Sequence, residues 1–584
     1  MRQRKKAVAC VRCRQMKLGC DAPQRFPSSC SRCQRKGLHC SVDPSFKRVA
    51  KRERLDALEK ELKEIKQRLR STSETNNQRS VEVSRPATPS PEVDVFQPAQ
   101  AVTESSNLES PKAMGGVELD STTISDLFKE YYLHYHEKFP ILPESSVVLD
   151  NYDACPLLFW TVMMIASKES PQHKHLFPAV TGVVTSLASI ISPPAEQSLH
   201  LIQALLLLCN WPPPYGATIH DNSWTYCGLA VTYALRQGLH RPHHVSDFVY
   251  EAEFDVTTMR ERKRTWLACF IVSQRASILH GLPSLLRADH SILETLTSKP
   301  SWLPDALYHQ LQIAHLSGKF CNILGNHELT STGLLPNPAS LIQMFDVELQ
   351  THEAQLAQKW SRGDYMFFLA TRLHLYAFAL TDPAVTDADG GLAGGLHSEF
   401  LAHAYLAAMS LLQSAVDSPT GLRYWSMYQG RDAVNAAFFL LKLVGGNHEF
   451  VDHAQARNMI HKFWELLREQ SRVEDDHIAR LCAIIEYLSR SSSRGNQEDR
   501  DQLSLRVRSR MTANLIIDAV WRARDRFSQS VKAQRPKDYT SAAAVERAMT
   551  ELDNQILSPL DGAGDWTSFF EGLNSNMPDL GMGA

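Results

Sequence analysis

The sequence predicts a mostly α chain: a small cysteine-rich module at the amino end, a short coiled coil, a disordered linker and a large all-helical domain. Three observations carry this. Six of the twelve cysteines fall between Ala9 and Cys40. From Leu119 to about Arg490 apolar residues recur at helical spacing, with almost no alternating strands. Between these regions, residues 71 to 117 are rich in Ser, Thr, Pro and Gln and poor in large apolar groups, the composition of a disordered tract. At 584 residues the chain exceeds what one core needs. It begins MRQRKK, without an apolar run for export, and its longest apolar tract, Leu201 to Cys209, is less than half a membrane span. The expectation is a cytosolic or nuclear protein that avoids membranes, whose thiols stay reduced and whose clustered cysteines bind metal.

Charge separates the amino end from the rest. Residues 1 to 54 hold sixteen Lys and Arg against Asp21, Asp43 and Glu53, a net +13, whereas the chain from Ser71 onward has 41 basic and 57 acidic residues. A module of that density suits a polyanion, because neutralising phosphates releases counterions, the main affinity term in nucleic-acid binding.

The cysteines are spaced Cys10-x2-Cys13-x6-Cys20-x9-Cys30-x2-Cys33-x6-Cys40, two similar halves about a short loop. Each half offers a thiolate pair and a third cysteine, a reach suited to tetrahedral zinc at a Zn–S distance of roughly 2.3 Å. Six thiolates complete two such sites only if two of them bridge. The internal repeat nominates Cys10 and Cys30, giving Cys10, Cys13, Cys20 and Cys30 to one zinc ion and Cys30, Cys33, Cys40 and Cys10 to the other. With so few apolar residues nearby, metal binding must supply most of the folding free energy. Disulfides, a single zinc with spare thiols, or metal storage fit the reduced compartment, the regular spacing and the interleaved basic residues less well.

This pattern resembles the fungal binuclear zinc-cluster transcription regulators, with their C-x2-C-x6-C, loop, C-x2-C-x6-C hallmark. The resemblance implies a helix after the second cysteine that enters the major groove and reads a CGG triplet. "CRQMKLGC" matches the family's C-R-x-x-K-x-K/R-C, so Arg14 becomes a phosphate contact and Lys17 the base reader, a lysine donating to guanine O6 and N7. Gly19 stands where a second basic residue is usual. Arg32, Arg35 and Lys36 fall to phosphate contacts, and Arg12 belongs to the same DNA-facing set. Lys47 and Arg48 open a basic stretch that tracks phosphates and helps set half-site spacing. Together with Arg2 to Lys6, that stretch is a nuclear-import candidate. The run "ACVRCRQMK" followed by "CDA" looks like the subgroup containing the leucine-biosynthesis regulator.

Leu55, Leu58, Leu62, Ile65 and Leu69 follow a 3-4-3-4 spacing, a two-heptad coiled-coil seam. Its g-to-e pairs, Arg54 with Glu59 and Glu61 with Lys66, are oppositely charged in a parallel homodimer, the arrangement that presents both zinc modules to one duplex. Farther on, "DLFKEYYLHYHEKFPILP", "IQALLLLCNW", "SWTYCGLAVTYALRQGLHR" and "ERKRTWLACFIVSQRASILHGLP" resemble the fungal-specific regulatory domain that often follows these clusters. Gln274 stands where that family often has Asp, and Leu282 where it often has Arg. Trp224, Cys227, Gly228, Val231 and Leu235 form one apolar helix face, stopped at Gly238 and Pro242. His240, His243 and His244 read as surface or capping histidines, and the six later cysteines as small core residues.

No Lys or Arg follows Arg547, and the acids there are interleaved with Trp566, Phe569, Phe570 and Leu573, the composition of an activation segment that contacts coactivators. The expected domains are residues 1–46 (zinc cluster), 47–70 (basic linker and coiled coil), 71–117 (disordered linker), 118–490 (helical regulatory domain) and 491–584 (polar segment and acidic tail). The expected function is a nuclear, zinc-dependent, homodimeric DNA-binding regulator of a biosynthetic or secondary-metabolite gene set, acting as an activator. A small-molecule effector is a further partner that the helical domain allows. No phosphate loop, nucleophile elbow or His-Glu-x-x-His occurs, so no enzyme is expected. The rival readings are a helical-domain enzyme with a zinc targeting module, and a repressor or scaffold.

Overall fold

The structure of the protein, a computed structural model, describes residues 9–15, 19–25, 29–35, 40–42, 111–143, 155–191, 199–215, 221–249, 254–381, 392–446, 448–471, 476–492, 505, 507, 509–510 and 514–534. The chain divides into two compact units, residues 1–101 and 102–584. Among its described residues the first has three short helices, α1 (Val11–Gln15), α2 (Ala22–Arg25) and α3 (Ser31–Arg35). The buried centre of its described residues is Cys10, Cys13, Ala22, Cys30 and Cys33, so these carry almost no apolar core. The coiled-coil residues Leu55, Leu58, Leu62, Ile65 and Leu69, the basic pair Lys47 and Arg48, and the tail residues Trp566, Phe569, Phe570 and Leu573 lie outside the described residues.

The second unit opens with a hairpin, β1 (Lys112–Met114) against β2 (Val117–Leu119), antiparallel with Ala113 opposite Glu118. Gly115 and Gly116 both have positive φ (58° and 82°), as a two-residue hairpin turn requires. Residues 111 to 117, assigned to the linker from composition, therefore include a formed strand. Helix α4 (Ser121–His134) follows, with Asp120 Oδ1 accepting the Thr123 N–H at 2.9 Å. Its buried residues Ile124, Leu127, Phe128 and Tyr131 lie at i, i+3, i+4 and i+7, the stripe of an amphipathic helix.

The next helices build the interior. In α5 (Pro156–Ser167) every residue from Leu157 to Ser167 is buried, and α6 (Phe177–Ser189) flanks it. In α7 (Leu199–Asn210) every residue from Leu201 onward is buried, so the apolar run in the sequence is core. No described helix is long and apolar enough to cross a membrane. Helix α8 (Ser223–Arg236) packs on α7 through Cys227, Ala230, Val231 and Ala234. Leu235, read as part of the apolar face, is 39% exposed, because the stripe that fits α7 runs through Ala230 and Ala234 instead. The stop at Gly238 holds, with φ at 71°.

Helix α9 (Val256–His280) is a long spine of 25 residues, buried from Thr265 to Ile278. It ends at Gly281 in the left-handed conformation, where Leu282 N–H returns to Ser277 O at 3.0 Å. The neutral residues in this turn are fully used: Gln274, 4% exposed, donates to Ser284 Oγ at 2.8 Å and to Leu286 O at 2.7 Å. After α10 (His290–Thr297), helices α11 (Asp305–Gly325), α12 (Ala339–Leu356), α13 (Arg362–Ala377) and α14 (Leu392–Val416) follow. The short α15 (Pro419–Leu422), α16 (Met427–Val444), α17 (His453–Arg468), α18 (His477–Ser492) and α19 (Leu515–Gln534) complete the unit. α9 lies against α11, α13 against α14, and α16 against α14, α17, α18 and α19. One continuous apolar core runs from Val117 to Ala519.

The body therefore takes in chain beyond residue 490. Arg510 and Asn514 donate to the last carbonyls of α9, His280 O and Leu279 O, the latter at 2.7 Å. On α19 the Asp518 carboxylate, 1% exposed, meets Lys442 Nζ of α16 at 2.7 Å and Arg522 Nε at 2.8 Å. Removing one partner of such a pair leaves a buried uncompensated charge. Asp518→Ala is expected to lower unfolding stability by about 3 to 5 kcal/mol. Replacing Lys442 by Met together with Asp518→Leu should recover most of that loss, as read by chemical denaturation.

Candidate metal centre and nucleic-acid interface

Each half of the cysteine module is built the same way. Cys10 and Cys30 immediately precede α1 and α3, and their carbonyls accept the first helical bonds, from Arg14 N–H at 2.9 Å and Gln34 N–H at 3.0 Å. One helical turn then brings Cys13 beside Cys10, and Cys33 beside Cys30. The third cysteines return to the start of each half: Cys20 Sγ accepts the Cys10 N–H, and Cys40 Sγ the Cys30 N–H, both at 3.4 Å. Residues twenty apart thus occupy equivalent places.

The two halves meet sulfur to sulfur. Cys10 Sγ lies 4.0 Å from Cys30 Sγ and 3.9 Å from Cys33 Sγ, and Cys13 Sγ lies 4.0 Å from Cys30 Sγ. All four sulfurs are buried and lie within 4.8 Å of one another. Two ligands of one tetrahedral zinc with Zn–S near 2.3 Å stand about 3.8 Å apart, so the donors fit that ion in kind and in spacing. As bare thiols they are ill placed: burial pushes Cys13 up and Cys33 up to about 12, while the Cys33 N–H donating to its sulfur draws Cys30 down to about 6. A dication resolves that conflict by holding all of them as thiolates.

The loop between the halves is fastened by residues that the sequence did not single out. Asp21 Oδ1 accepts the Ser31 N–H at 2.9 Å, and the Ser31 hydroxyl donates to the other Asp21 oxygen. Arg25 donates to Ser31 Oγ at 2.7 Å and to Gln34 Oε1 at 2.9 Å. The legible signal was an Asp directly after Cys20 and a Ser directly after Cys30, each at the start of a helix.

Among the proposed DNA contacts, Arg14 and Arg32 are half-buried on α1 and α3, and Arg35 is exposed with its Nε 3.4 Å from Ser31 O. Lys17 and Lys36, and the side chain of Arg12, lie outside the described residues. Gly19 is exposed, and a Cβ placed on it would meet nothing within 4 Å. In the helical unit, the His240 ring is wedged edge-on against Phe248 at 5.0 Å, and His243 and His244 face solvent. Cys155, Cys209, Cys227, Cys269, Cys321 and Cys482 are all buried.

With the fold and the centre in view, comparison with known proteins places the chain in a class. Residues 8–49 match the fungal Zn(2)-Cys(6) binuclear cluster domain, and residues 128–305 match the fungal specific transcription factor domain. The chain thus carries the two domains of a fungal zinc-cluster transcription factor, and the cluster domain is one that holds two zinc ions. It is similar to the putative transcription factor SEF1 of Eremothecium gossypii, at 26% identity over 88% of this chain and 60% of that protein. It is also similar to the regulatory protein LEU3 of Saccharomyces cerevisiae, at 24% identity over 94% of this chain and 74% of that protein. The transcriptional regulatory protein SEF1 of Candida albicans is 24% identical over 90% of this chain and 64% of its own length. The chain spans about three-fifths of the length of three SEF1 relatives, those of Eremothecium gossypii, Kluyveromyces lactis and Candida albicans. No solved structure matches.

Because the two units are compact separately and only one is organised around cysteines, chelation should act locally. Stripping zinc from the full chain is expected to abolish DNA binding while the thermal transition of the helical unit stays in place. Cys13→Ser should do the same without chelator, as followed by calorimetry and a gel-shift assay.

Proposed function

We propose that this chain is a sequence-specific DNA-binding regulator of transcription by RNA polymerase II. It acts in the nucleus and binds CGG-type triplets as a zinc-dependent homodimer. The observation that carries the reading is the pair of helices, each starting directly after a cluster cysteine, set in a segment of net charge +13. The crossed short distances, Cys10 to Cys33 and Cys13 to Cys30, support Cys10 and Cys30 as the bridging ligands and Cys20 and Cys40 as terminal ones.

In this reading zinc supplies the fixed geometry, and the chain's own residues do the recognition. Lys17 donates to guanine O6 and N7, while Arg12, Arg14, Arg32, Arg35, Lys36, Lys47 and Arg48 meet phosphates and set register without reading sequence. The seam from Leu55 to Leu69 pairs two copies, and the tail around Trp566, Phe569, Phe570 and Leu573 recruits coactivators. The helical domain regulates both in response to a small-molecule effector.

Selection of bound sequences from random DNA by the zinc-loaded chain should enrich CGG triplets. Lys17→Ala is expected to lose that preference, a change of about 1 to 3 kcal/mol. Failure to enrich any such triplet, or an unaffected Lys17→Ala, overturns the reading. Because the space beside Gly19 is open, Gly19→Lys should bind more tightly at low salt, steepening the log–log salt dependence by about 0.9. Residues 548–584 fused to an unrelated DNA-binding domain should activate a reporter, and Trp566→Ala with Phe569→Ala should remove most of that output.

A further inference from the structure

Buried polar atoms without a hydrogen-bond partner occur at several places in the helical unit, Trp160 Nε1, Tyr233 Oη and Arg262 Nε among them, and three of them converge on one cavity. A cavity of about 110 Å³ lies among α5, α7, α16, α17 and α18, walled by apolar groups that include Met164, Ile165, Phe177, Val434 and Leu481. Three of its lining side chains carry a buried nitrogen with no partner: Trp211 Nε1, Arg431 Nε and His477 Nδ1. Trp211 is 4% exposed and Arg431 7%, so water at the surface does not satisfy them. Arg431 Nη2 is engaged, donating to Tyr215 Oη at 2.7 Å and facing Asp221 at 3.8 Å. His477 is held by its backbone N–H on Tyr215 O at 2.9 Å and by ring stacking on Tyr215 at 4.3 Å.

The chemistry of these atoms selects what is missing. An indole N–H and a guanidinium Nε–H can only donate, so their absent partner is an acceptor. Lys168 and Arg431 line the cavity, and among the described residues no Asp or Glu does. Leaving such donors buried and unpaired costs stability that a fold ordinarily avoids. We infer that this cavity is a binding site for a small carboxylate with a compact apolar body, its oxygens on Trp211 and Arg431 and its hydrocarbon against Val434 and Leu481. The volume suits it: at about 30 Å³ per water the space would hold roughly four waters, or an acid of about four to six carbons. Burial draws His477 down to about 3, so its imidazole stays neutral at physiological pH and Nδ1 contributes as a hydrogen-bond donor in one tautomer. A larger neighbouring cavity of about 310 Å³ shares Trp211 and Trp425 with this one. Of its polar lining, Ser361 is engaged with Asp364 and Ser426 with Gln429 in two capping boxes, whereas Arg431 and His477 line only the smaller of the two.

The site deepens the effector reading and rests on it only for what binding would regulate. The test titrates the full chain calorimetrically with butanoate, pentanoate and hexanoate and with the corresponding primary alcohols, alongside a DNA-binding assay. At least one acid should bind, and at least tenfold more tightly than its alcohol. Trp211→Phe, which removes the N–H together with part of a buried ring, should weaken the acid by about tenfold and its alcohol by much less, so that the preference between them narrows. Gly430 lines the cavity and a Cβ there would meet nothing within 4 Å, so Gly430→Leu should fill the space and abolish acid binding without unfolding the chain. Acids and alcohols binding alike, no binding of any acid at millimolar concentration, or Gly430→Leu binding as the unmodified chain does, each overturns the site. If DNA binding persists in those cases, the proposed function stands; if DNA binding fails while an acid binds, the reverse holds.

Discussion

The amino-terminal unit depends on one constraint: four sulfurs packed within 4.8 Å of one another in a segment where, among the described residues, the only other buried apolar residue is Ala22. Hydrophobic burial cannot hold such an arrangement, and as neutral thiols the sulfurs gain little from it. Two divalent cations convert the crowding into the main source of folding free energy. The consequence for function is direct, since α1 and α3 start on ligand cysteines and exist in their observed places only while the ligands are gathered. On the proposed function, base reading is then conditional on metal, and the loop bonds of Asp21, Arg25 and Ser31 refine an arrangement that zinc would establish.

The helical unit rests on the opposite principle. α5 and α7 are buried on nearly all sides, so they act as the centre around which amphipathic helices such as α4 and α17 close. Polar residues inside it are placed as fasteners. Gln274 grips the turn after α9, and Gly318 on α11 leaves it room, since a Cβ there would come within 2.6 Å of its carbonyl oxygen. Arg275 pairs with Asp432 of α16 at 2.7 Å while its guanidinium lies 4.1 Å over the Phe367 ring, tying α9 to α13 and α16. Where the wider family often uses a charged residue at position 274, this chain keeps the turn with neutral hydrogen bonds.

What could be read from the sequence follows the range of the interactions. The cysteine spacing was legible because ligand geometry is local and its alphabet is narrow. Helical character was legible because its period repeats over many turns. The hairpin at Lys112 to Leu119 was hidden because two three-residue strands are too short for an alternating pattern, although the Gly115-Gly116 pair was a turn signal. The docking of α19 was hidden for a different reason. Its helix was visible as "ANLIIDAVWRAR", but the Asp518 to Lys442 pair that seats it joins residues far apart in sequence, and nothing local marks either as buried. Leu235 shows the same limit on a smaller scale, since which face of α8 is covered is set by the shape of α7 and not by the hydrophobicity of α8 alone.

The unpartnered donors around the 110 Å³ cavity set a condition on the fold itself. A core selected only for stability would place a larger residue at Gly430, where a Cβ meets nothing within 4 Å, and would not leave the donors of Trp211 and Arg431 buried without an acceptor. Keeping both leaves the packing among α7, α16 and α18 incomplete until an acceptor arrives, so binding and the mutual fit of those helices are the same event. A ligand that completes a core in this way stabilises every contact the helices make, which lets a molecule of a few carbons bias an element as large as α16.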